Sequence, residues 1–221
     1  MAEPTFPDAR TVLLKKVRLS FTDNLLTPGT AKGVADATPK YGCNILVERD
    51  SPNFEANDKK IREAMSEAGY QFKGNRDLYK VIIEKDAKRV AYRKGERFTN
   101  DDGKIYEGYE GNFAISATGP GGGKERPTMK DRRKRDITNI DKDIPVVCYS
   151  GSYCDAIVSF YGTDKGGLGI FCSIEAIRSH EEGARLGGGR VEVRDDMFDD
   201  LEDDDSFDDA GSTGGADDLI G

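Results

Sequence analysis

Three groups of basic side chains have the types and spacing that phosphate binding requires. The densest is the run 130–135, in which five of six residues are Lys or Arg. A second group, at 88–97, has aromatic residues interleaved, and a third lies on or beside the first predicted strand. Such side chains neutralise phosphates and release counterions, which gives affinity independent of base sequence; the alternative for each group is an ordinary solvated surface. The predicted phosphate contacts are Lys15, Lys16, Arg18, Lys88, Arg89, Arg93, Lys94, Arg97, Lys124, Arg126, Lys130, Arg132, Arg133, Lys134 and Arg135.

Aromatic side chains in the C-terminal half could stack on unpaired bases. In the predicted strands 153–161 and 168–174, small and aliphatic residues alternate as an inward face, which turns large rings towards the polar face. Exposed rings are costly without a purpose, and base stacking is worth roughly 1–3 kcal/mol per base. The alternative is that a helix or loop covers them. The predicted stacking rings are Tyr153, Tyr161 and Phe171, with Tyr92, Phe98 and Tyr106 extending the surface.

The acidic residues are concentrated at the C-terminus. The formal net charge of the chain is −8, but 12 acidic residues and no Lys or Arg lie from Asp195 onwards. The remaining 33 basic and 29 acidic residues give residues 1–194 a charge of +4. The acidic segment has too few apolar residues to offset its ordering entropy, which predicts disorder. We expect it either to compete for the basic surface or merely to add solubility. Its predicted partner-binding tip is Asp217, Asp218, Leu219 and Ile220.

Catalytic and metal-binding patterns are weak. The single histidine, His180, lies in a polar run that indicates a solvated helix surface. The glycine-rich segment 119–125 departs from a phosphate-binding P-loop, because Glu125 stands where a hydroxyl should bind the metal. The four cysteines lack zinc-ligand spacing, which indicates reduced thiols packed in strands. We therefore expect no catalytic residue, metal or cofactor, with a metal-dependent nuclease as the enzyme alternative.

The elements that must position these side chains are mainly strands. Residues 17, 19 and 21 share one face of the first strand, and 51–52 resemble the start of a helix that ends at Gly69. Residues 24–39 indicate a long loop, and 119–123 a flexible one. Further helices are predicted at 78–85 and 175–186. The predicted strands are 11–21, 41–47, 112–118, 145–149, 153–161 and 168–174. This order suits a small β-barrel with helical insertions.

The chain divides into three predicted parts. Residues 1–10 are a flexible lead-in, 11–190 a folded domain and 191–221 the acidic tail. No apolar run reaches the roughly 18 residues that a membrane helix needs, and the N-terminus has no secretory pattern. We therefore expect a cytoplasmic protein without membrane contact.

The motifs resemble those of bacteriophage-encoded single-stranded DNA-binding proteins. The signature is Tyr149-Ser150-Gly151-Ser152-Tyr153, followed by Phe160-Tyr161 and by 165–169, Ile174, Ile177 and 187–189. The strand ending Leu19-Ser20-Phe21, Tyr41, the helix after Pro52 and the segment 103–112 with Tyr106 also fit. In one departure, the tail ends Leu219-Ile220-Gly221 where many such tails end in an aromatic residue.

The resemblance implies an OB fold, a five-stranded Greek-key barrel with helical insertions and a disordered acidic tail. It implies non-specific binding of single-stranded DNA in phage DNA replication, recombination and repair, in the host cytoplasm. It also implies contacts between the tail and replisome proteins such as a DNA polymerase, helicase or primase. A homo-oligomer is compatible with these features. The alternatives are a strand-annealing or recombination-mediator protein, and an interaction adaptor that acts through its acidic tail.

Overall fold

The alternation of apolar and polar residues produces a mainly β structure with helical insertions. The computed structural model describes residues 4–30 and 37–187. The strands of this part are β1 (Thr11–Ser20), β2 (Gly42–Val47), β3 (Tyr92–Lys94), β4 (Phe113–Thr118), β5 (Thr128–Lys130), β6 (Tyr153–Thr163) and β7 (Gly169–Glu181). Its helices are α1 (Asp23–Leu26), α2 (Phe54–Lys73), α3 (Leu78–Lys85), α4 (Pro120–Gly123) and α5 (Ile140–Val147).

The strands form a sheet that closes on itself. Their order is β3-β4-β2-β1-β6-β7-β5, and an additional pairing between β4 and β7 completes a ring of five strands: β1, β2, β4, β7 and β6. The contact between β4 and β7 is parallel, whereas the other four contacts of the ring are antiparallel. Side chains on one face of each strand fill the ring, among them Leu19, Ile45 and Phe160, which are fully buried.

The helix α2 packs its apolar face into the same core. Ile61, Ala64 and Met65 are fully buried, as their helical spacing predicts. The predicted end at Gly69 is wrong, because the helix continues to Lys73 and ends at Gly74, whose φ of 67° suits a left-handed cap. Gly69 instead permits a close approach, since a Cβ there would lie 2.5 Å from the carbonyl oxygen of Asn75. The helix predicted at 78–85 is confirmed as α3.

Two predictions of secondary structure are wrong. The strand predicted at 145–149 does not form, because residues up to Val147 belong to α5. Ile144 and Cys148, one helical turn apart, are both buried, and a helix is the conformation that places them on the same buried face. The helix predicted at 175–186 does not form either, because β7 continues to Glu181 and pairs with β6 on one side and with β5 on the other.

The two predicted loops contain short ordered turns. Within 24–39, α1 buries Leu25, while residues 31–36 lie outside the described part of the chain. Within 119–123, backbone bonds join the turn to Tyr41: Gly119 N donates to the Tyr41 carbonyl and Tyr41 N to that of Gly123, both at 2.8 Å. All four cysteine thiols are free and buried. No helix of the described residues has the length and apolarity needed to cross a membrane.

Candidate nucleic-acid interface

Short polar side chains form a continuous band on the outer face of the ring. Ser20 pairs with Asn44, and Asn44 with Ser116. Two residues beyond Ser116, Thr118 pairs with Ser173 of β7. Ser173 in turn pairs with Ser159 of β6, and the Thr11 hydroxyl at the start of β1 donates to Ser159 at 3.2 Å. Paired residues share a face of the sheet, so these side chains lie opposite the core. This polar band comprises Ser20, Asn44, Ser116, Thr118, Ser173, Ser159 and Thr11.

A pair of aromatic rings stands beside the polar band. Tyr161 and Phe171 are cross-strand partners on β6 and β7, with ring centroids 6.3 Å apart. Both rings are half-buried, and the Arg89 guanidinium lies 5.2 Å from the Phe171 centroid. Burial raises the pKa of Tyr161, which keeps its hydroxyl protonated at neutral pH. The two rings are brought together and leave part of their surface open to a ligand.

Tyr153 lies at the other end of β6, in a different environment. Its hydroxyl donates to Glu48 at 2.9 Å, and the Lys16 and Arg18 charges lie 5.7 and 5.6 Å from its ring centroid. The three predicted rings on β6 and β7 therefore do not form one platform, because eight residues of strand, roughly 26 Å, separate Tyr153 from Tyr161.

Tyr92 and Phe98 are predicted to be open rings, and this prediction is wrong. They are only 3% and 6% exposed. The Tyr92 hydroxyl donates to Asp58 at 2.7 Å, while Phe98 packs on the fully buried Tyr109 with centroids 5.1 Å apart. The segment between β3 and β4 folds over the outer face of β2 and β4, where Leu46 and Ala114 pack against it. Tyr106, on the surface of this segment, is half-buried.

Five of the predicted cations are neutralised within the fold. Lys15 lies 3.6 Å from the buried carboxylate of Asp155, and Arg18 pairs with Glu48 at 3.0 Å while also donating to the carbonyls of Gly151 and Ala184. The other three pairs are Lys16–Glu181 at 2.7 Å, Lys130–Asp136 at 2.5 Å and Arg135–Asp131 at 2.6 Å. Their positive charge is already matched, so they contribute less to attraction of a polyanion.

Three arginines are held by carbonyl oxygens and keep their charge. Arg89 donates to the carbonyls of Leu168 and Lys165 at 3.2 and 3.1 Å, which fixes the turn between β6 and β7. Arg126 donates to the carbonyls that end α1, Leu25 and Leu26, both at 2.7 Å. Because a carbonyl carries no formal charge, each guanidinium is fixed in position without being neutralised.

Arg93, the third of these arginines, lies directly against the polar band. Its Nη1 donates to the Val90 carbonyl at 2.9 Å, and its Nη2 donates to the Ser116 hydroxyl at 3.4 Å. The guanidinium lies 3.9 Å from the Phe98 centroid, and its buried Nε has no hydrogen-bond partner among the described residues. Burial lowers the pKa of Arg93 to about 10, so it remains charged at neutral pH. An anion would relieve this uncompensated charge.

The remaining predicted cations are exposed and have no carboxylate partner within residues 4–30 and 37–187. Three of them form the tip of the turn that follows β5, where Lys134 has a φ of 66° and its N–H donates to the Asp131 carbonyl at 3.0 Å. We call these seven the exposed cations: Lys88, Lys94, Arg97, Lys124, Arg132, Arg133 and Lys134.

Rings and unmatched cations beside a polar surface are the features by which proteins hold single-stranded nucleic acid in a groove. The family model described as "Enterobacter phage Enc34, ssDNA-binding protein" matches residues 10–208. The chain belongs to this family. The phage Enc34 family match extends into the acidic segment, beyond the residues that the structure describes.

The chain is also similar to one phage protein in sequence and to one in fold. "Putative protein p50" of Acyrthosiphon pisum secondary endosymbiont phage 1 is 31% identical over 193 residues, covering 86% of this chain and 93% of that protein. The fold is similar to the bacteriophage Enc34 single-stranded DNA-binding protein in complex with ssDNA, with a TM-score of 0.63 at 17% identity over 81% of this chain and 90% of the other. The same protein without DNA matches with a TM-score of 0.61 at 18% identity, over 86% and 91%.

The predictions on metal binding, on His180 and on the tail remain. Among the described residues no group of three or more His, Cys, Asp or Glu side chains could hold a metal ion. His180 lies on β7 instead of a helix, with its Nδ1 3.6 Å from Asp155. The predicted tail and its tip, Asp217, Asp218, Leu219 and Ile220, lie outside the described residues.

The sequence-based prediction missed Phe21. Alternation places it with Val17 and Leu19 in the core, which are 2% and 0% exposed, but Phe21 is 42% exposed. Its φ of 55° turns the side chain away from that face. Alternation carries no signal of a backbone reversal at the last residue of a pattern, so only the structure reveals this ring.

Proposed function

We propose that this protein binds single-stranded DNA without base specificity and without catalysis, in phage DNA replication, recombination and repair. Membership of the phage Enc34 family is the observation that carries the proposal, since a solved relative of similar fold is described as a complex with ssDNA. The rings and cations beside the polar band support it, because stacking and phosphate contacts are available to every base.

The ring of strands supports an OB fold, which is a five-stranded Greek-key barrel. The ring has five strands, with β1 between β2 and β6. An OB fold binds oligonucleotides on the face of its second and third strands and with the loops after its first and fourth strands. The second and third ring strands in chain order are β2 and β4, which carry Asn44 and Ser116. The loop after the fourth, β6, is the turn that Arg89 fixes.

In this arrangement the strand of DNA lies along the exposed part of the polar band and across the segment between β3 and β4, which covers Ser20 with the buried ring of Tyr109. The rings of Tyr161 and Phe171 stack on bases at one end, while Arg93 and Arg89 contact phosphates beside the band. The exposed cations extend the electrostatic attraction beyond the groove. The paired cations, such as Lys16 and Arg18, primarily stabilise the fold.

We also propose roles for the parts outside the described residues. The domain comprises residues 11–190, and the acidic segment carries a charge of −12 from Asp195 onwards. A polyanion of that charge competes with DNA for the basic surface by the same electrostatics. Its acidic and apolar tip, 217–220, suits a docking contact with a replisome protein in the host cytoplasm.

The proposal is tested by titrating a fluorescently labelled oligonucleotide with the full chain and measuring anisotropy at several salt concentrations. We expect tight binding whose logarithm falls linearly with the logarithm of salt concentration, by about 0.7 per phosphate contacted. Homopolymeric and mixed sequences should bind similarly, and a duplex of the same length more weakly. The oligonucleotide should remain intact in the presence of Mg²⁺. Absence of binding at low salt, or cleavage of the oligonucleotide, would refute the proposal.

A further inference from the structure

Phe21 has a backbone conformation that an aromatic residue rarely adopts. It follows the last residue of β1, with a φ of 55° in the left-handed region. A bulky side chain in this region is a conformational outlier, and outliers that persist at a protein surface cluster at binding sites. Glycine would remove the conformational cost. The sequence keeps a phenylalanine there, and its ring is 42% exposed.

One half-buried ring, Tyr106, and one fully buried ring, Tyr109, support Phe21 from behind. Its centroid lies 4.8 Å from that of Tyr106 and 6.4 Å from that of Tyr109, in edge-to-face arrangements of 79° and 63°. Tyr109 is fully buried, and burial raises the pKa of its hydroxyl to about 12. The Phe21 ring therefore rests on a fixed base while almost half of its surface stays open.

The same aromatic cluster is fastened to the polar band. Asn44 Nδ2 donates to the Tyr109 hydroxyl at 2.9 Å. Ser20, the first residue of the band, immediately precedes Phe21 in the chain. At the far side of the cluster Arg93 lies over Phe98 and donates to Ser116 of the band. Phe21 thus stands beside Ser20 at one end of the polar band, and Tyr161 and Phe171 stand beside Ser159 and Ser173, farther along it.

We propose that Phe21, supported by Tyr106, stacks on an unpaired base of the bound strand and forms a second stacking position at the Ser20 end of the polar band. The inference rests on the proposed binding of single-stranded DNA. It explains why a strained, exposed ring is retained next to polar side chains, and it gives the bound strand two separate stacking positions. A strand held at two positions cannot slide along the band without unstacking one base.

Because the sequence has no tryptophan, stacking at position 21 can be measured by the fluorescence of an introduced one. The variant F21W places a single fluorophore at the proposed stacking position. We expect its emission to be quenched as an oligo(dT) is added, with the same midpoint as the anisotropy of the labelled oligonucleotide. The matched control is Y70W on α2, where the native ring is 49% exposed and lies outside the groove. Its emission should change little at the same DNA concentrations.

Two further variants separate stacking from folding. F21G removes the backbone strain together with the ring's packing on Tyr106, and these two effects oppose each other, so its melting temperature should stay close to that of the wild type while its affinity falls roughly 5- to 150-fold. F21L keeps an apolar side chain but loses the π-face, and its affinity should fall in the same direction. If F21W itself fails to bind, the affinities of F21G and F21L decide the question.

The outcomes distinguish this inference from the proposed function. Wild-type protein that binds no oligonucleotide refutes both. Wild-type binding combined with unquenched emission of the F21W variant, or with unchanged affinity of F21G, refutes only the stacking role of Phe21. F21W emission that changes on deletion of residues 195–221 but not on addition of DNA would also overturn it, since the acidic segment would then be the occupant.

Discussion

The turn after β5 offers the clearest test of the electrostatics. The variant R132A/R133A/K134A removes three exposed cations that have no carboxylate partner among the described residues. If each contacts one phosphate, the slope of log affinity against log salt becomes shallower by about 2, since each contact to a single strand contributes about 0.7. Extrapolated from 1 M to 0.1 M salt, the same contacts account for roughly a 100-fold loss of affinity. The fold should be unaffected, because these side chains are exposed.

The matched control removes equal charge elsewhere. K59A/R76A/K80A deletes three cations of α2, α3 and the loop between them, and both triple variants lower the formal net charge by three, from −8 to −11. Arg76 and Lys80 pair with Glu67 and Asp77, so their charge is already matched. Anisotropy titrations from about 50 to about 400 mM salt should give the control a slope close to that of the wild type. An unchanged slope for the turn variant, or an equal change in the control, would refute a contact between this turn and DNA.

Three further predictions concern the tail, the aromatic pair and the fold. Deletion of residues 195–221 removes a charge of −12, so binding should tighten and the salt response should flatten in the same titration; identical curves would contradict competition for the groove. F171A should weaken DNA binding by about 1–3 kcal/mol at an unchanged melting temperature, whereas a lower melting temperature with unchanged affinity would make Phe171 a packing residue. D155N should lower the free energy of unfolding at pH 7 by about 3 kcal/mol, because Asp155 accepts from Lys16 N at 3.0 Å and pairs with Arg178. Burial alone would raise the pKa of Asp155, but these partners hold it below the ordinary value of 3.8, so its stabilisation is present above that pH and is lost as the pH falls through the folded-state pKa. Urea unfolding from pH 7 to pH 2 should therefore show a steeper acidic loss for the wild type than for D155N, and parallel curves would contradict this.

Secondary structure could be predicted where one period dominates a long segment. Alternation identified β1, β2, β4, β6 and the start of β7, and helical spacing identified α2 and α3. The predictions of secondary structure failed where contacts with distant parts of the chain, and not the local pattern, determine the conformation. The polar residues at 175–181 have no clear period of their own, but β5 and β6 supply partners on both sides. A short apolar run such as 145–149 is compatible with either state, and Ile144 and Cys148 pack as a helix.

The candidate site was predictable in composition but not in geometry. The sequence identified Arg93 and Phe171, because cations and rings are recognisable as residue types. It could not show that Tyr92 is buried in the core and bonded to Asp58 of α2, or that Phe98 is buried against Tyr109 within the segment between β3 and β4. Nor could it show the polar band, whose members are far apart in the chain and meet through strand register.

The carboxylate partners of the predicted cations set a bound on the electrostatics of the whole interface. Of the 15 cations predicted from sequence, five are paired with Asp or Glu, and ten have no carboxylate partner among the described residues. If DNA engaged only the unmatched ten, the salt slope would not exceed about 7, whereas engagement of all 15 would allow about 10. A steeper slope than about 7 therefore requires either that pairs such as Lys16–Glu181 open, with phosphate replacing the carboxylate, or that cations outside the predicted 15, such as the exposed Lys165, contact phosphate as well. The net charge of −8 does not bear on this bound, because 12 of the acidic residues that produce it lie from Asp195 onwards, whereas the matched and unmatched cations lie on the described fold.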